Sequence, residues 1–432
     1  MKLSGWGRTI SADGALVSIS DAKSFAARLK SSQQTLPALP RGNGRSYGDQ
    51  ALTTGRYWSS RRLDHFLAFD ETTGVLTVEA GVTLGEIQRL FIPRGWSLPV
   101  TPGTQFVTVG GAIANDVHGK NHHSHGTFGE HVISLELLRT SGELLLCDHK
   151  KNSGMLRATI GGLGLTGFIC NAKIRLRQVQ SPWISAETLT FGSTAEFFDQ
   201  TAESSKNEFT VSWLDIKSKS VRGLFNRGDL AEPQALAEPT GLSLAFPFVS
   251  PFSLINRLTR RPLASAYNAL GSRKSLPSVV HYQPFFYPLD GIASWNRAFG
   301  PKGFYQHQSV LPVAAAASGL NELIAAVRAS DERSVVSVLK TTGKREHPGI
   351  LTYPIEGLTL ALDFANRGDA TIKLMHRLDE ITVAFGGRVN PSKDATMSRK
   401  IFEASFGDKL EEFSKYRDPG ISSLQSKRLL GS

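Results

Sequence analysis

The chain of 432 residues, 40% hydrophobic and 20% charged, is long enough for two or three domains around a large core. Its two cysteines, Cys147 and Cys170, sit in apolar strand-like runs, which argues against a disulfide framework; no apolar run approaches the ~18 residues of a spanning helix and no signal-type segment opens the chain, so a cytoplasmic protein is expected. The net charge of +11 fits plain solubility or an acidic partner such as a phosphorylated substrate or an anionic membrane, while the lack of zinc-finger spacing or a basic recognition helix speaks against nucleic acid.

A short alternating run at Leu16–Ser20 precedes a helical pattern over Ala22–Lys30, and Leu36–Leu39 leads into Arg41. Val75–Ala80 predicts a strand stopped by Gly81. Thr83 and Glu86 then form a capping-box pair for a helix carrying Leu84, Ile87, Leu90 and Phe91, which ends near Pro93–Gly95. Further strands are predicted at Val132–Arg139, Leu144–Cys147 and Phe168–Arg177, with a turn at Gly142–Glu143. Gln178–Pro182 is a boundary. Ser212–Ile216 reads as a strand, but residues 217–280 show no clear pattern. Within them Phe252–Lys274 is basic and apolar, either an amphipathic segment on a membrane surface or a loop or lid. From Gly303 the order is strand Phe304–Leu311, helix Ala314–Ala329, strands Val335–Lys340 and Leu358–Phe364, and helix Ala370–Phe385. That order predicts an antiparallel sheet covered on one face by helices, and an α+β fold overall.

Three glycine-rich segments punctuate the first 170 or so residues. Arg41–Asp49 (RGNGRSYGD) follows a short strand, so freed backbone N–H groups and the charges of Arg41 and Arg45 could cradle phosphate, although such a segment can equally be a plain turn. It is neither G-x-G-x-x-G nor a Walker loop. Pro102–Thr127 holds five glycines and four histidines (His118, His122, His123 and His125). It is too irregular for a strand and too glycine-rich for a long helix, and is expected to be a loop wrapped on a ligand. The histidine spacing matches no common zinc pattern, and Gly119-Lys120 is followed by Asn121 rather than Ser or Thr, so neither a metal site nor a P-loop is expected. The third segment is Ile160–Phe168 (IGGLGLTGF).

Taken together, RGNGRSYGD, Pro102–Val132 and Ala158–Ile169 resemble the flavin-binding segments of the vanillyl-alcohol-oxidase/PCMH flavoprotein superfamily, and within it the decaprenylphosphoryl-β-D-ribose 2-oxidase-like enzymes. The likeness extends to Gly5–Arg8 (GWGR), Pro288–Pro312, Gly386–Thr396 and the basic tail. It implies a PCMH-type FAD-binding domain over residues 1–178, completed by 388–432, and a substrate domain over 179–387. It implies non-covalent FAD. Its pyrophosphate would lie on Arg41, Gly42, Asn43, Gly44, Arg45, Ser46, Tyr47 and Gly48. Further contacts would come from Gly103, Thr108, Val109, Gly110, Gly111, Asn115, Val117, His118, Ile169 and Asn390.

The same resemblance makes Lys393 the active-site lysine, either orienting the substrate hydroxyl and stabilising negative charge on reduced flavin or acting as a base. It puts His118 beside the flavin, Lys120, Gln306 and Gln308 near the sugar, and Trp213 and Lys340 in the pocket. Three positions depart from the pattern: Ala361 stands for a cysteine, Thr359 for an asparagine and Asn390 for a tyrosine. The implied reaction is hydride transfer from the 2-position of a polyprenyl-phosphate pentose to FAD. A separate NAD(P)H-dependent keto-sugar reductase would complete an arabinose-forming epimerisation, and the protein would touch the inner face of the plasma membrane. A soluble sugar, alditol or aldonolactone oxidase using oxygen, a non-catalytic flavin- or carbohydrate-binding protein, and a metal-dependent hydrolase built on the histidines are the competing readings.

Overall fold

Strands β1 (Ala15–Ser18), β2 (Ala38–Arg41) and β3 (Arg56–Ser59) form a small parallel sheet in the order β1-β3-β2. Parallel neighbours need a crossover, and the helix Ala22–Ser31 lies between β1 and β2 in the chain, burying Phe25, Ala26 and Leu29. The computed structural model describes residues 1–31, 37–216, 221–236, 244–255, 277–334 and 336–431.

A second, antiparallel sheet follows. It is made of β4 (Phe66–Asp70), β5 (Val75–Glu79), β6 (Val132–Leu138), β7 (Leu144–Asp148) and β8 (Phe168–Arg175), in the order β7-β6-β8-β5-β4. Leu76 and Val78 of β5, Leu135 and Leu137 of β6, and Ala172 and Ile174 of β8 share a core with Ile87 and Phe91 of the helix Leu84–Phe91. That helix has the predicted capping box: Thr83 Oγ1 accepts from Glu86 N and Glu86 accepts from Thr83 N.

One expectation changes here. Pro102–Thr127 is not loop throughout, because Val109–Ala114 is helical and His122–His125 makes one helical turn. Two glycines do not prevent the first helix, since Thr108 caps it through Gly111 N and Val109 and Ile113 are anchored in the core. A Cβ at Gly110 would come within 3.1 Å of Ala80 Cβ, so glycine lets this helix sit closely on the end of β5.

The third sheet has eight strands: β9 (Trp183–Phe191), β10 (Phe209–Asp215), β11 (Arg222–Leu230), β12 (Ser278–His281), β13 (Phe304–Pro312), β14 (Ser337–Thr342), β15 (Gly357–Ala365) and β16 (Arg388–Val389). It is antiparallel throughout, in the order β12-β9-β11-β10-β14-β15-β13-β16. β11 and β12 fall in the span where the sequence shows no pattern. β11 reads RGLFNRGDL, and its two glycines and charges obscure any alternation. The predicted helical cover is present. Leu320, Leu323, Ile324 and Val327 of Ala316–Ala329 and Leu374, Leu378 and Ile381 of Asp369–Ala384 bury against Leu358, Leu360, Leu362 and Phe364 of β15. With a strand period of two, Ala361 and Asp363 are left facing the other way.

The C-terminal helices Arg399–Phe406, Lys409–Ser414 and Leu424–Leu430 return to the first part of the chain, where Phe402, Phe413 and Leu429 share a core with Leu39, Tyr57 and Leu165. Of the basic apolar stretch Phe252–Lys274, residues 256–274 lie outside the described residues. No helix among the described residues is long and apolar enough to cross a membrane.

Candidate active site

One cavity runs from the first glycine segment, along the helix Val109–Ala114, to the uncovered face of the eight-stranded sheet. Its wall contains Arg41 through Tyr47, Gly103, Thr108, Gly110, Gly111, Asn115, Val117, His118, Lys120, Ile169, Trp213, Gln306, Gln308, Lys340, Asn390 and Lys393. Gly48 and Val109 do not line it. Val109 points into the core, and Gly48 is pressed against the loop that carries Lys393, where a Cβ would overlap the Asp394 carbonyl oxygen.

At one end the wall is backbone. Among the described residues, none of the five consecutive N–H groups from Gly42 to Ser46 has a protein acceptor. A row of free peptide donors is what an oligophosphate needs. Gly42 is required because a Cβ there would overlap Thr108 Oγ1, the cap of the adjacent helix. The guanidinium of Arg45 is stacked between Trp6 and Phe106, 4.2 and 4.8 Å from their centroids. Arg41 is used differently from expectation: it donates to the carbonyls of Ser4 (3.0 Å) and Ala51 and underpins Gly44, so it shapes the loop rather than offering a free charge. Asn115 ties the walls together, accepting from Gln50 Nε2 (2.7 Å) and Ser392 Oγ (2.6 Å). Gly103 and Gly164 leave open space where side chains would stand. A long groove with a peptide N–H cradle at one end and glycine-cleared backbone along its side fits a dinucleotide such as FAD.

The other end is built from side chains on the sheet. Register sets one row across four strands: Trp213 pairs with Val338, Val338 with Ala361, and Ala361 with Gln308. Asn390 Nδ2 donates to Gln308 Oε1 at 2.9 Å, which turns the amide N–H2 toward His118 Nε2, 3.4 Å away. Lys340 Nζ donates to Gly119 O at 2.6 Å and lies 2.7 Å from His118 Nδ1. With Lys340 protonated, Nδ1 is the acceptor, and Nε2–H and the Gln308 amide become two donors facing the cavity. Burial, reinforced by Lys340, keeps His118 well below the usual histidine range, hence neutral.

Three half-buried lysines, Lys120, Lys340 and Lys393, share this end. Desolvation in the cavity lowers them to about 7, about 7 and about 8 respectively. Lys393 Nζ sits 4.1 Å over the Tyr47 ring, and Lys120 caps the Phe285 ring and carbonyl. None of the three forms an ion pair with a carboxylate among the described residues. The acid that joins them was not foreseen. Asp363 is 1% exposed, accepts from Gln306 Nε2 at 2.5 Å and is raised to about 7 by burial, while its field acts on Lys393. A lone carboxylate in the apolar run LTLALDFA was the available signal. Trp6, Gln50, Asp290 and Ser392 also line the cavity without having been anticipated. The remaining histidines are spread over protein partners: His122 accepts from Gly343 N, His123 meets Asn207 O, and His125 lies beside Arg177 and Glu208.

Residues 15–148 match the model of an FAD binding domain family. Decaprenylphosphoryl-beta-D-ribose oxidase of Mycolicibacterium smegmatis is 33% identical over 96% of this chain and 93% of its own length. The chain belongs to that oxidase family. It is therefore an FAD-dependent oxidoreductase, and its α+β architecture contains the FAD-binding domain of that family. More distant likenesses are partial. D-lactate dehydrogenase of Archaeoglobus fulgidus is 31% identical over 37% of this chain and 38% of its own length, and human Delta(24)-sterol reductase is 30% identical over 29% of this chain and 25% of its own. In this FAD-dependent oxidase two of the three departures, Ala361 and Asn390, line the cavity. Thr359, 2% exposed, does not.

Proposed function

We propose that this oxidase converts the 2-hydroxyl of a polyprenyl-phosphate pentose to a ketone, with residues 1–178 and 388–432 holding non-covalent FAD and residues 179–387 holding the substrate. Bound FAD would supply the hydride acceptor for oxidation at the carbinol carbon. The observation that carries the reading is the side-chain end of the cavity, where three lysines that form no carboxylate ion pair among the described residues share one chamber with two amide donors. Uncompensated ammonium groups in a desolvated chamber are costly unless an anion enters, and a sugar phosphate is such an anion. Lys120 and Lys340 would take the phosphate. Gln306, Gln308 and His118 Nε2 would hold the sugar hydroxyls. Lys393, lowered to about 8 and within the field of Asp363, would orient the reacting hydroxyl and, in its neutral form, take the proton as hydride departs.

The decisive experiment is anaerobic mixing of the yellow holoprotein with a panel of polyprenyl-phosphate sugars and free sugars. Bleaching of the flavin band by the lipid-linked pentose and not by free pentose is expected. Equal bleaching by free sugars would favour the soluble oxidase reading, and no bleaching by any would favour a binding protein.

The product, a lipid-linked keto sugar, has to be reduced from the opposite face to complete a 2-epimerisation, which calls for a separate NAD(P)H-dependent reductase. Peripheral contact with a membrane follows from the lipid. Leu244, Phe248 and Phe252 are 75, 69 and 64% exposed, and Leu244–Ala245 pairs with Ile292–Ala293, between the wall segments Pro288–Asp290 and Trp295. Co-sedimentation with anionic vesicles, lost on combined Phe248→Ser and Phe252→Ser substitution, is the expected outcome; unchanged sedimentation would remove these residues from membrane contact.

A further inference from the structure

The helix Leu424–Leu430, near the C-terminus, contributes nothing to the cavity wall, yet two of its side chains reach the loops that do. Arg428 grips Asp49 with two bonds, Nε to Oδ2 at 3.0 Å and Nη2 to Oδ1 at 2.7 Å, and the same Nη2 donates to Asp394 Oδ2 at 2.9 Å. Its Nη1 donates to Met397 O. Three residues earlier, the buried Gln425 donates from Nε2 to Pro391 O at 2.7 Å. Asp49 and Asp394 are themselves buried, 3 and 4% exposed. Asp49 is two residues after Tyr47, and Asp394 is the residue after Lys393. The two loops already touch through backbone, with Tyr47 N donating to Ser392 O at 3.3 Å and Gly48 filled against the Asp394 carbonyl. The guanidinium closes the far side of that contact.

We infer that Arg428 is a positioning residue: it clamps the Tyr47 loop to the Lys393 loop, and so sets where the Lys393 ammonium stands over the Tyr47 ring at the reacting end of the cavity. A guanidinium can do this because its planar fork offers parallel donors to one carboxylate and a further donor to a second. A lysine offers a point charge and cannot hold both in one geometry. The helix that carries Arg428 is itself fixed, by the Ser423–Ser426 capping box at its start and by Leu429 in the core with Leu39 and Phe402. The clamp therefore refers the loop positions back to the body of the protein. Without it the loops keep their backbone contact but lose the carboxylate anchors on either side of it. The inference rests on the role proposed for Lys393.

The test uses full-length, flavin-loaded Arg428→Lys, which retains the positive charge, with Arg428→Gln and Asp49→Asn beside it. Arg428→Lys is expected to keep its flavin and its reduction by dithionite. Its rate constant for flavin reduction at saturating lipid-linked pentose is expected to fall about tenfold to a hundredfold, the scale of an ångström of misplacement, while substrate affinity changes by about twofold or less. Labelling of Lys393 by an amine-reactive reagent, followed by peptide mass spectrometry, is expected to rise several-fold with Lys120 labelling unchanged. A native reduction rate together with native Lys393 labelling in flavin-replete Arg428→Lys overturns the clamp. If Arg428→Gln does not fold, Arg428→Lys and Asp49→Asn decide. Lys393→Ala measured in parallel separates the two ideas: normal reduction in that variant overturns the role of Lys393, whereas the labelling still reports on the clamp.

Discussion

Lys393 illustrates how the cavity alters a side chain. In water a lysine stays charged to about pH 10.4. Here desolvation brings it to about 8, partly opposed by Asp363. Lys393→Ala is expected to retain FAD and lose substrate-driven flavin reduction, measured by stopped flow; normal reduction would remove it from the chemistry. The three lysines also predict a pH profile with opposed limbs. The rate constant for reduction rises as Lys393 loses its proton near pH 8. Affinity for the phosphate-bearing substrate falls as Lys120 and Lys340 lose theirs from about pH 7 upward. The product of the two, the rate constant divided by Kd, should therefore pass through a maximum, and a rate constant that falls monotonically with pH would contradict a neutral Lys393 as proton acceptor.

At the level of elements, the glycines divide by what they face. A Cβ at Gly48 would enter the carbonyl of the neighbouring loop, so Gly48→Ala must push the Tyr47 and Lys393 loops apart. A loss of about 1–3 kcal/mol in urea unfolding is expected, with flavin release at lower urea than in the native protein. Gly103 faces open cavity with nothing within 4 Å, so Gly103→Ala should leave the unfolding midpoint nearly unchanged while weakening FAD retention on dilution. Equal behaviour of the two variants would show that neither is doing the job assigned to it. The sheet works similarly: its helix-covered face is aliphatic, and its other face is left to carry amides and ammonium groups because alternate residues point to opposite sides.

Across the whole molecule, the excess of +11 is ordinary in size, but part of it is concentrated in the cavity. Each cavity lysine has a lower pKa folded than unfolded, so the unfolded chain binds more protons between about pH 7 and 10, and these groups make the ligand-free protein more stable as pH rises through that window. A bound anion opposes this by favouring the charged forms. Inorganic phosphate is therefore expected to raise the thermal midpoint of the holoprotein more at pH 6.5 than at pH 9, a comparison made by scanning calorimetry. An equal or larger shift at pH 9 would exclude the lysines as the anion site.

How much of this was legible in the chain depends on the range of each interaction. The Thr83–Glu86 cap and the helices over 316–329 and 369–384 rest on contacts within a few residues, so spacing and side-chain type were sufficient, whereas the three glycine segments became legible through their resemblance, which was enough to name FAD. β11 and β12 were hidden because a strand with glycines and charges is stabilised by its neighbours and not by its own pattern. The meeting of Asp363 with Gln306 and Lys393, the row from Trp213 to Gln308, the withdrawal of Arg41 from the phosphate end and the grip of Arg428 on Asp49 and Asp394 join residues far apart in the chain. Sheet register and helix docking decide those contacts, and both follow from which surfaces can be buried together, a property of the packed molecule that no local period records.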